Sequence, residues 1–276
     1  RARILSGPTE QVRFHDYAFS EAEKQQGYVL LCSTGATGDV AIEVNEAPDP
    51  AAVPEQVIKA KVHRVEPAGA GHLLLSIRTP RSRTLRFLAG QAVDVSFPGG
   101  PRRRLAIGSC PCNGMILQFH LNRRADDFSS YVAEQGRHGL PVEVRGPYGA
   151  FTLDEGSQRP LALLAWDTGF APIKSLLEHA IQLEKPQPMR LFWIASRPGE
   201  HYLANYCRSL EDALDDFHYQ LLVAGEGDIL GSVLDVAVRP EEADWYIAGP
   251  VQERQSAQRR LRAAGVPADR LFIYRD

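Results

Sequence analysis

The chain has 276 residues, 44% hydrophobic and 24% charged, and its 31 Lys and Arg against 34 Asp and Glu leave a net charge of −3. That is the composition of a globular protein long enough for two ordinary domains, and the near balance of charge gives no pull toward nucleic acid or an anionic membrane. Aromatic and basic residues do not alternate as a base-stacking platform requires, and no apolar run approaches the roughly 20 residues that cross a bilayer, so neither kind of partner is expected.

The four cysteines, Cys32, Cys110, Cys112 and Cys207, are too few and too scattered for a disulfide framework. With no charged-then-apolar opening of the signal-peptide kind, a cytoplasmic protein with mostly reduced thiols is expected. The chain opens on Arg1 and its only methionines are Met115 and Met189, so the expectation is a start partway through a longer protein.

In chain order, residues 1–44 hold a helix-like stretch at 20–26, the apolar run Gly27-Tyr28-Val29-Leu30-Leu31-Cys32 and a second β-type run at 39–44. Residues 45–54 are rich in Pro and Ala without periodicity, the composition of a linker. Residues 55–154 carry short β-type runs at 57–65, 72–77, 91–97, 115–121 and 140–144, with one short helical pattern at 129–135. Several short strands at this spacing predict an antiparallel β-barrel. From 155 to 276 the pattern alternates: strands at Leu161–Trp166, 191–195, 219–223, 245–248 and 271–274 interleave with helices. The first of these helices has Pro172 near its start and Ile173, Leu176, Leu177 and Ala180 on one face; others fall at 202–214, 229–238 and 252–264, the last ending at Gly265. Repeated βα units predict a parallel sheet covered by helices on both faces. The expected architecture is therefore multi-domain: a small β-rich segment, an antiparallel barrel and an α/β parallel-sheet domain.

Five pieces stand in order along the second and third regions: Gly90-Gln91, Arg103 to Ser109, Gly146-Pro147-Tyr148-Gly149-Ala150-Phe151, Thr168-Gly169-Phe170-Ala171-Pro172 and Gly249-Pro250. Each alone is weak; their order and spacing resemble the ferredoxin–NADP reductase family over roughly residues 55–276. The resemblance implies an FAD-binding barrel, an NAD(P)H-binding α/β domain, and hydride transfer to a flavin that passes electrons singly to an iron–sulfur centre. It places Arg103 on the flavin pyrophosphate, where a guanidinium offers bidentate, charge-assisted hydrogen bonds, although three contiguous arginines also suit a solvated turn. Ser129 and Ser130 fit a second phosphate contact at a helix start, or a plain N-cap. The family's flavin-covering tyrosine is Leu105 here, and the Ser or Thr beside the reactive flavin nitrogen is Ala106, which has no hydroxyl.

The nicotinamide side departs further. The family's Gly-Gly-Thr-Gly turn reads Trp166-Asp167-Thr168-Gly169, although glycines there let the backbone approach phosphate. Thr168 and Gly169 keep the pattern, and equally suit a tight turn that serves the fold alone. The family's Cys-Gly-Pro is Ala248-Gly249-Pro250, and Arg197 is placed to reach a ribose or 2′-phosphate.

The pieces Arg1 to Gly7, Gly27 to Cys32 and Asp39 to Val44 resemble the last half of a plant-type [2Fe–2S] ferredoxin, a partial β-grasp segment in which Cys32 is the fourth cluster ligand. One thiolate cannot hold that cluster, so it is expected only if three upstream cysteines exist. Cys110-Pro111-Cys112 is too closely spaced for a common zinc or redox pair and is assigned no metal. No zincin-type histidine spacing or Gly-x-Ser-x-Gly elbow is present.

The reading is an electron-transfer oxidoreductase, the reductase partner of an oxygenase or similar acceptor. It uses NAD(P)H, FAD at Arg103, Leu105, Ala106, Ser129 and Ser130, and nucleotide contacts at Thr168, Gly169, Gly249 and Pro250. The alternative is a family member that has lost hydride chemistry and serves binding or assembly, as Leu105, Ala106, Trp166, Asp167 and Ala248 suggest. Glycine restored at 166 and 167 separates the two: tight NADPH binding would mean a blocked site, negligible binding a lost one.

Overall fold

The computed structural model describes residues 2–12, 21–31, 33–43, 53–69, 71–123, 125–225, 227–236 and 239–275. Cys32 and most of the expected linker lie outside them. The chain divides into two compact units, Arg1–Ala52 and Val53–Asp276.

The first unit contains β1 (Ala2–Ser6), β2 (Thr9–Gln11), α1 (Glu21–Gln25), β3 (Tyr28–Val29), β4 (Thr34–Ala36) and β5 (Ala41–Glu43). β1 is the centre of a three-stranded antiparallel sheet between β3 and β5, and β2 pairs with β4.

The second unit begins with β6 (Gln56–Ala68), β7 (His72–Arg78), β8 (Ala92–Ser96), β9 (Arg102–Ala106), β10 (Ile116–Asn122), α2 (Asp127–Gln135) and β11 (Pro141–Tyr148). The six strands run in the order β10-β7-β6-β11-β8-β9, all antiparallel, and the two end strands approach each other so that the barrel nearly closes. Alternation builds it: Ile58, Ala60 and Val62 point inward from β6 while Lys59 and Lys61 face out. Ile58, Leu75, Ile77, Val93, Val95 and Phe119 are among the side chains that fill the interior.

β9 answers the question the three arginines posed: they form a strand, not a turn. It pairs with β8 from Ala92↔Ala106 to Ser96↔Arg102. Asp94 on β8, 5% exposed, accepts from Arg102 at 2.6 Å and from Arg104 at 2.9 and 3.2 Å, which holds two arginines on one face. Period two then sends Arg103 to the other face.

The remainder is β12 (Leu161–Trp166), α3 (Phe170–Gln182), β13 (Met189–Ala195), α4 (Ala204–Ala213), β14 (Phe217–Val223), α5 (Ile229–Val236), β15 (Asp244–Ala248), α6 (Val251–Ala263) and β16 (Leu271–Ile273). The strands form one parallel sheet in the order β14-β13-β12-β15-β16. β12 is buried at all six positions, as a strand covered on both faces must be. One face packs on α3 and α4 around Leu163, Phe170, Ile173, Trp193 and Cys207, and the other on α5 and α6 around Phe192, Trp245, Ala257 and Leu261.

The first of these cores does not stop at the sheet. Ala68, Ala89, Phe151 and Leu153 from the barrel side belong to it, and Leu74 and Ala106 pack against it. That is why β7 is buried on both faces: its outward residue His72 lies under the ring of Tyr202, 4.4 Å between centroids.

The expectation of mostly reduced thiols is corrected at one place. A 3-10 turn at Pro111–Asn113 brings the sulfurs of Cys110 and Cys112 within bonding distance as a disulfide. Cys207 is a free, buried thiol.

Candidate functional site

In a parallel sheet of this order the chain leaves β12 and β15 in opposite directions, and the crevice beyond their carboxyl ends is where ligands of such sheets sit. Here that crevice is a cleft of about 450 Å³ facing the barrel. Arg103, Leu105 and Ala106 of β9 line one wall, and Trp166, Asp167, Thr168, Gly169, Gly249 and Pro250 line the other. Seven of the residues singled out from the sequence thus meet: Arg103, Leu105, Ala106, Thr168, Gly169, Gly249 and Pro250.

Ser129 joins them through Arg103, whose guanidinium donates to Ser129 Oγ at 3.2 Å. Ser129 is not the helix N-cap. Asp126 is: its carboxylate accepts the Ser129 N–H at 2.8 Å and also pairs with Arg103. α2 consequently starts two residues earlier than its apolar pattern announced. Ser130 is exposed, does not line the cleft, and gives its N–H to the Asp126 carbonyl.

The Arg103 guanidinium and the Ser129 N–H at the helix start converge on the Asp126 carboxylate, while Ser129 Oγ accepts from the guanidinium; the two donors are suited to a phosphate oxyanion. Beside them the cleft is lined by Leu105, whose side chain belongs to the barrel core, and by Ala106 on the opposite face of β9. These residues fit the pyrophosphate and ring of a flavin dinucleotide.

The opposite wall behaves differently. Asp167 has φ +46°, the left-handed conformation that glycine adopts without cost. Its carboxylate accepts the Ser196 N–H at 2.7 Å and the Ser196 hydroxyl at 2.6 Å, and its carbonyl accepts the Trp193 indole N–H at 3.1 Å. Gly169 and Gly249 are required by the chain itself. A Cβ on Gly169 would lie 2.7 Å from the Ala248 backbone, and one on Gly249 2.7 Å from Trp166 Cβ. The tight-turn reading of these glycines is therefore sufficient. With Trp166 filling the turn and a carboxylate bonded at its apex, the residues do not fit a dinucleotide pyrophosphate cradled by glycine.

Three neighbours were missed. His120 and Tyr274 line the cleft, and Arg104 lies over the Tyr148 ring at 4.1 Å. His120 is buried, bonded through Nδ1 to Tyr202 at 2.9 Å and through Nε2 to Gln118 at 3.3 Å. Burial pushes its imidazole well below the usual range, and the charges of Lys174 and His72 push the same way. Its place on the expected strand 115–121 was visible, but not that the outer face of that strand would be covered. Burial alone would raise the Asp94 carboxyl, yet the hydrogen bonds and charges of Arg104 and Arg102 outweigh it and hold the group below its ordinary value. Arg197 is exposed and does not line the cleft.

No family model matches the chain. Over 290 residues it is 27% identical to the reductase component of propane 2-monooxygenase from Mycolicibacterium smegmatis, covering 99% of this chain and 83% of that one. The toluate 1,2-dioxygenase electron transfer component of Pseudomonas putida is 28% identical over 266 residues, covering 93% and 78%. Among solved structures, the ferredoxin reductase in carbazole 1,9a-dioxygenase superposes with a TM-score of 0.70 at 21% identity, over 99% of this chain and 84% of that one. In its nearly closed antiparallel barrel and its parallel sheet with a cleft at the switch point the chain has the fold of a ferredoxin reductase, and in sequence it is similar to reductase components of oxygenase systems.

Proposed function

We propose that this chain is the reductase component of an electron-transfer system, an oxidoreductase that moves electrons from NAD(P)H through FAD to a [2Fe–2S] centre and on to an acceptor protein such as an oxygenase. The observation that carries the reading is that Arg103, itself bonded to the buried Ser129, lines one cleft together with Leu105 and Ala106. Relatives that serve a propane monooxygenase and a toluate dioxygenase support it. In this reading residues 1–44 are half of a ferredoxin domain, 45–54 a linker, 55–154 the FAD-binding domain and 155–276 the nucleotide-binding domain. Cys32 ligates a cluster only in a chain that carries three further cysteines upstream. No helix among the described residues is long and apolar enough to cross a membrane, and a cytoplasmic location belongs to the proposal.

FAD, when bound, supplies the exchange between two-electron and one-electron steps. The chain's own residues bind and orient. Arg103, positioned by Ser129, would hold the pyrophosphate, Leu105 and Ala106 would flank the ring, and Arg104 is fixed by Asp94. His120, bonded on both ring nitrogens and disfavoured as a cation by burial, puts no fixed positive charge in the cleft. Thr168, Gly169, Gly249 and Pro250 are the proposed nucleotide-side wall. No step is derived through a nucleotide seated there, because Trp166 and Asp167 do not fit its pyrophosphate. That misfit favours a second reading, a member that has lost hydride chemistry and serves binding or assembly.

The test is the visible absorption spectrum before and after incubation with FAD and desalting. A retained oxidised-flavin band supports the reductase; a chain that keeps no added FAD overturns it in favour of the second reading.

A further inference from the structure

Outside the cofactor cleft, the Cys110–Cys112 disulfide is the feature that the proposed function leaves unused. Only Pro111 separates the two cysteines, and their Cα atoms are 5.2 Å apart. The sulfurs are unequally placed: Cys110 is 5% exposed, whereas Cys112 is open to solvent. Both border a second cleft, of about 420 Å³, whose other side includes Lys174, Glu178 and Tyr206.

Two features distinguish the roles of the two sulfurs. The Cys112 N–H is aimed at Cys110 Sγ at 3.2 Å, and a hydrogen bond to the charged form favours a thiolate. The backbone around Cys110 is also clamped to α3. Lys174 donates to the Gly108 carbonyl at 3.0 Å, Ser175 to the Ser109 carbonyl at 2.8 Å, and the Cys110 N–H donates to Glu178 at 2.9 Å. The Glu178 carboxylate that opposes negative charge there is itself paired with Lys174 at 2.6 Å. Cys110 is thus the held, supported leaving sulfur and Cys112 the accessible one.

We propose that Cys110 and Cys112 form a thiol–disulfide exchange site whose partner is a dithiol. The donor's thiolate attacks Cys112 Sγ; the Cys110–Cys112 bond breaks and its electron pair goes to Cys110 Sγ. The donor's second thiol, deprotonated, attacks its own sulfur in the mixed disulfide and releases Cys112 as a thiolate. The donor leaves as a disulfide, two electrons have passed to the chain, and its two thiolates take up the two protons the donor released. With the Cys110 segment clamped and one residue between the pair, reclosure follows without a long search of chain conformations.

The folded chain, purified without reductant, is treated with iodoacetamide before and after native incubation with dithiothreitol, and its peptides are weighed. Cys110 and Cys112 are expected unlabelled at first and both labelled afterwards. Cys207, whose thiol burial pushes up to about 12, stays unlabelled throughout. Titration against mixtures of reduced and oxidised dithiothreitol gives one two-electron transition, absent in Cys110→Ser and in Cys112→Ser. The thiol left in Cys110→Ser reacts with an aromatic disulfide roughly tenfold faster than the thiol left in Cys112→Ser, following exposure. Labelling without reductant, reduction only after denaturation, or the reverse order of rates would overturn the proposal. None of these outcomes depends on flavin binding, so the site stands or falls separately from the reductase reading.

Discussion

Asp167→Gly isolates the charge at the apex of the nucleotide-side turn. The change relieves a left-handed non-glycine residue, a strain of about 1 kcal/mol, and gives up two hydrogen bonds to Ser196, each worth about 1 kcal/mol net at an exposed position. Stability should therefore move by no more than about 1 kcal/mol. Binding should move more. A pyrophosphate carrying two charges about 5 Å from the carboxylate is repelled by about 1.7 kcal/mol at the dielectric constant of water and about twice that at half of it. Salt at physiological strength, with a Debye length of about 8 Å, leaves roughly half. The variant should bind NADPH about tenfold more tightly, and the gain should shrink as salt rises. Calorimetric titration with NADPH and with ADP-ribose, at low and high salt, reads both effects. Affinities equal within twofold, or a gain indifferent to salt, would refute the electrostatic account of this turn and leave Trp166 as the obstacle.

On the flavin side, Asp126→Asn keeps a good N-cap but frees Arg103 from its internal partner; FAD affinity in fluorescence-quench titration should rise about threefold to tenfold. Arg103→Ala should lower that affinity by about tenfold to a hundredfold, the worth of a charged hydrogen bond, without shifting the urea midpoint appreciably. Burial lowers the imidazole pKa of His72, against partial opposition from Glu200 and Asp167, and lowers that of His120 further. Stability held above about pH 6.5 should therefore be lost as pH falls from that unfolded-state value toward the folded-state values, with a slope of up to about 1.4 kcal/mol per pH unit for each histidine. Urea unfolding at stepped pH should show this slope and His120→Gln should flatten it; an unchanged slope in that variant would remove His120 from the account. Trp193→Ala, which empties a fully buried site stacked on Phe170 at 4.1 Å, should cost about 3–5 kcal/mol, read from the same denaturation curves.

Local pattern carried most of the architecture because the central parallel strands β12, β13 and β15 are short runs buried on both faces, and Leu161–Trp166 is apolar at every position. It missed β9 because Arg102, Arg103 and Arg104 show no apolar alternation. Their strand depends on Asp94, distant by eight or more residues and itself in an apolar run, supplying a carboxylate for two of them. The cleft walls could be named from motif order, but the state of those walls could not. Whether Asp126 and Asp167 face solvent or bond to Arg103 and Ser196 is decided by pairs far apart in the chain. The Cys110–Cys112 bond escaped for a related reason, since the spacing alone says nothing of the 3-10 turn that folds one sulfur back on the other.

The core that runs from Leu163 and Ile173 through to Ala89, Phe151 and Leu153 has a mechanical consequence. Rotation of the barrel against the α/β half would tear apolar contacts that neither half could remake with water, and free relative motion is the rule only where an interface is small or polar. The cofactor cleft is accordingly a notch cut into one stiff body. Whatever enters or leaves it must do so by rearranging side chains at its rim, and exchange should be paced by rotamer and loop motion rather than by a hinge.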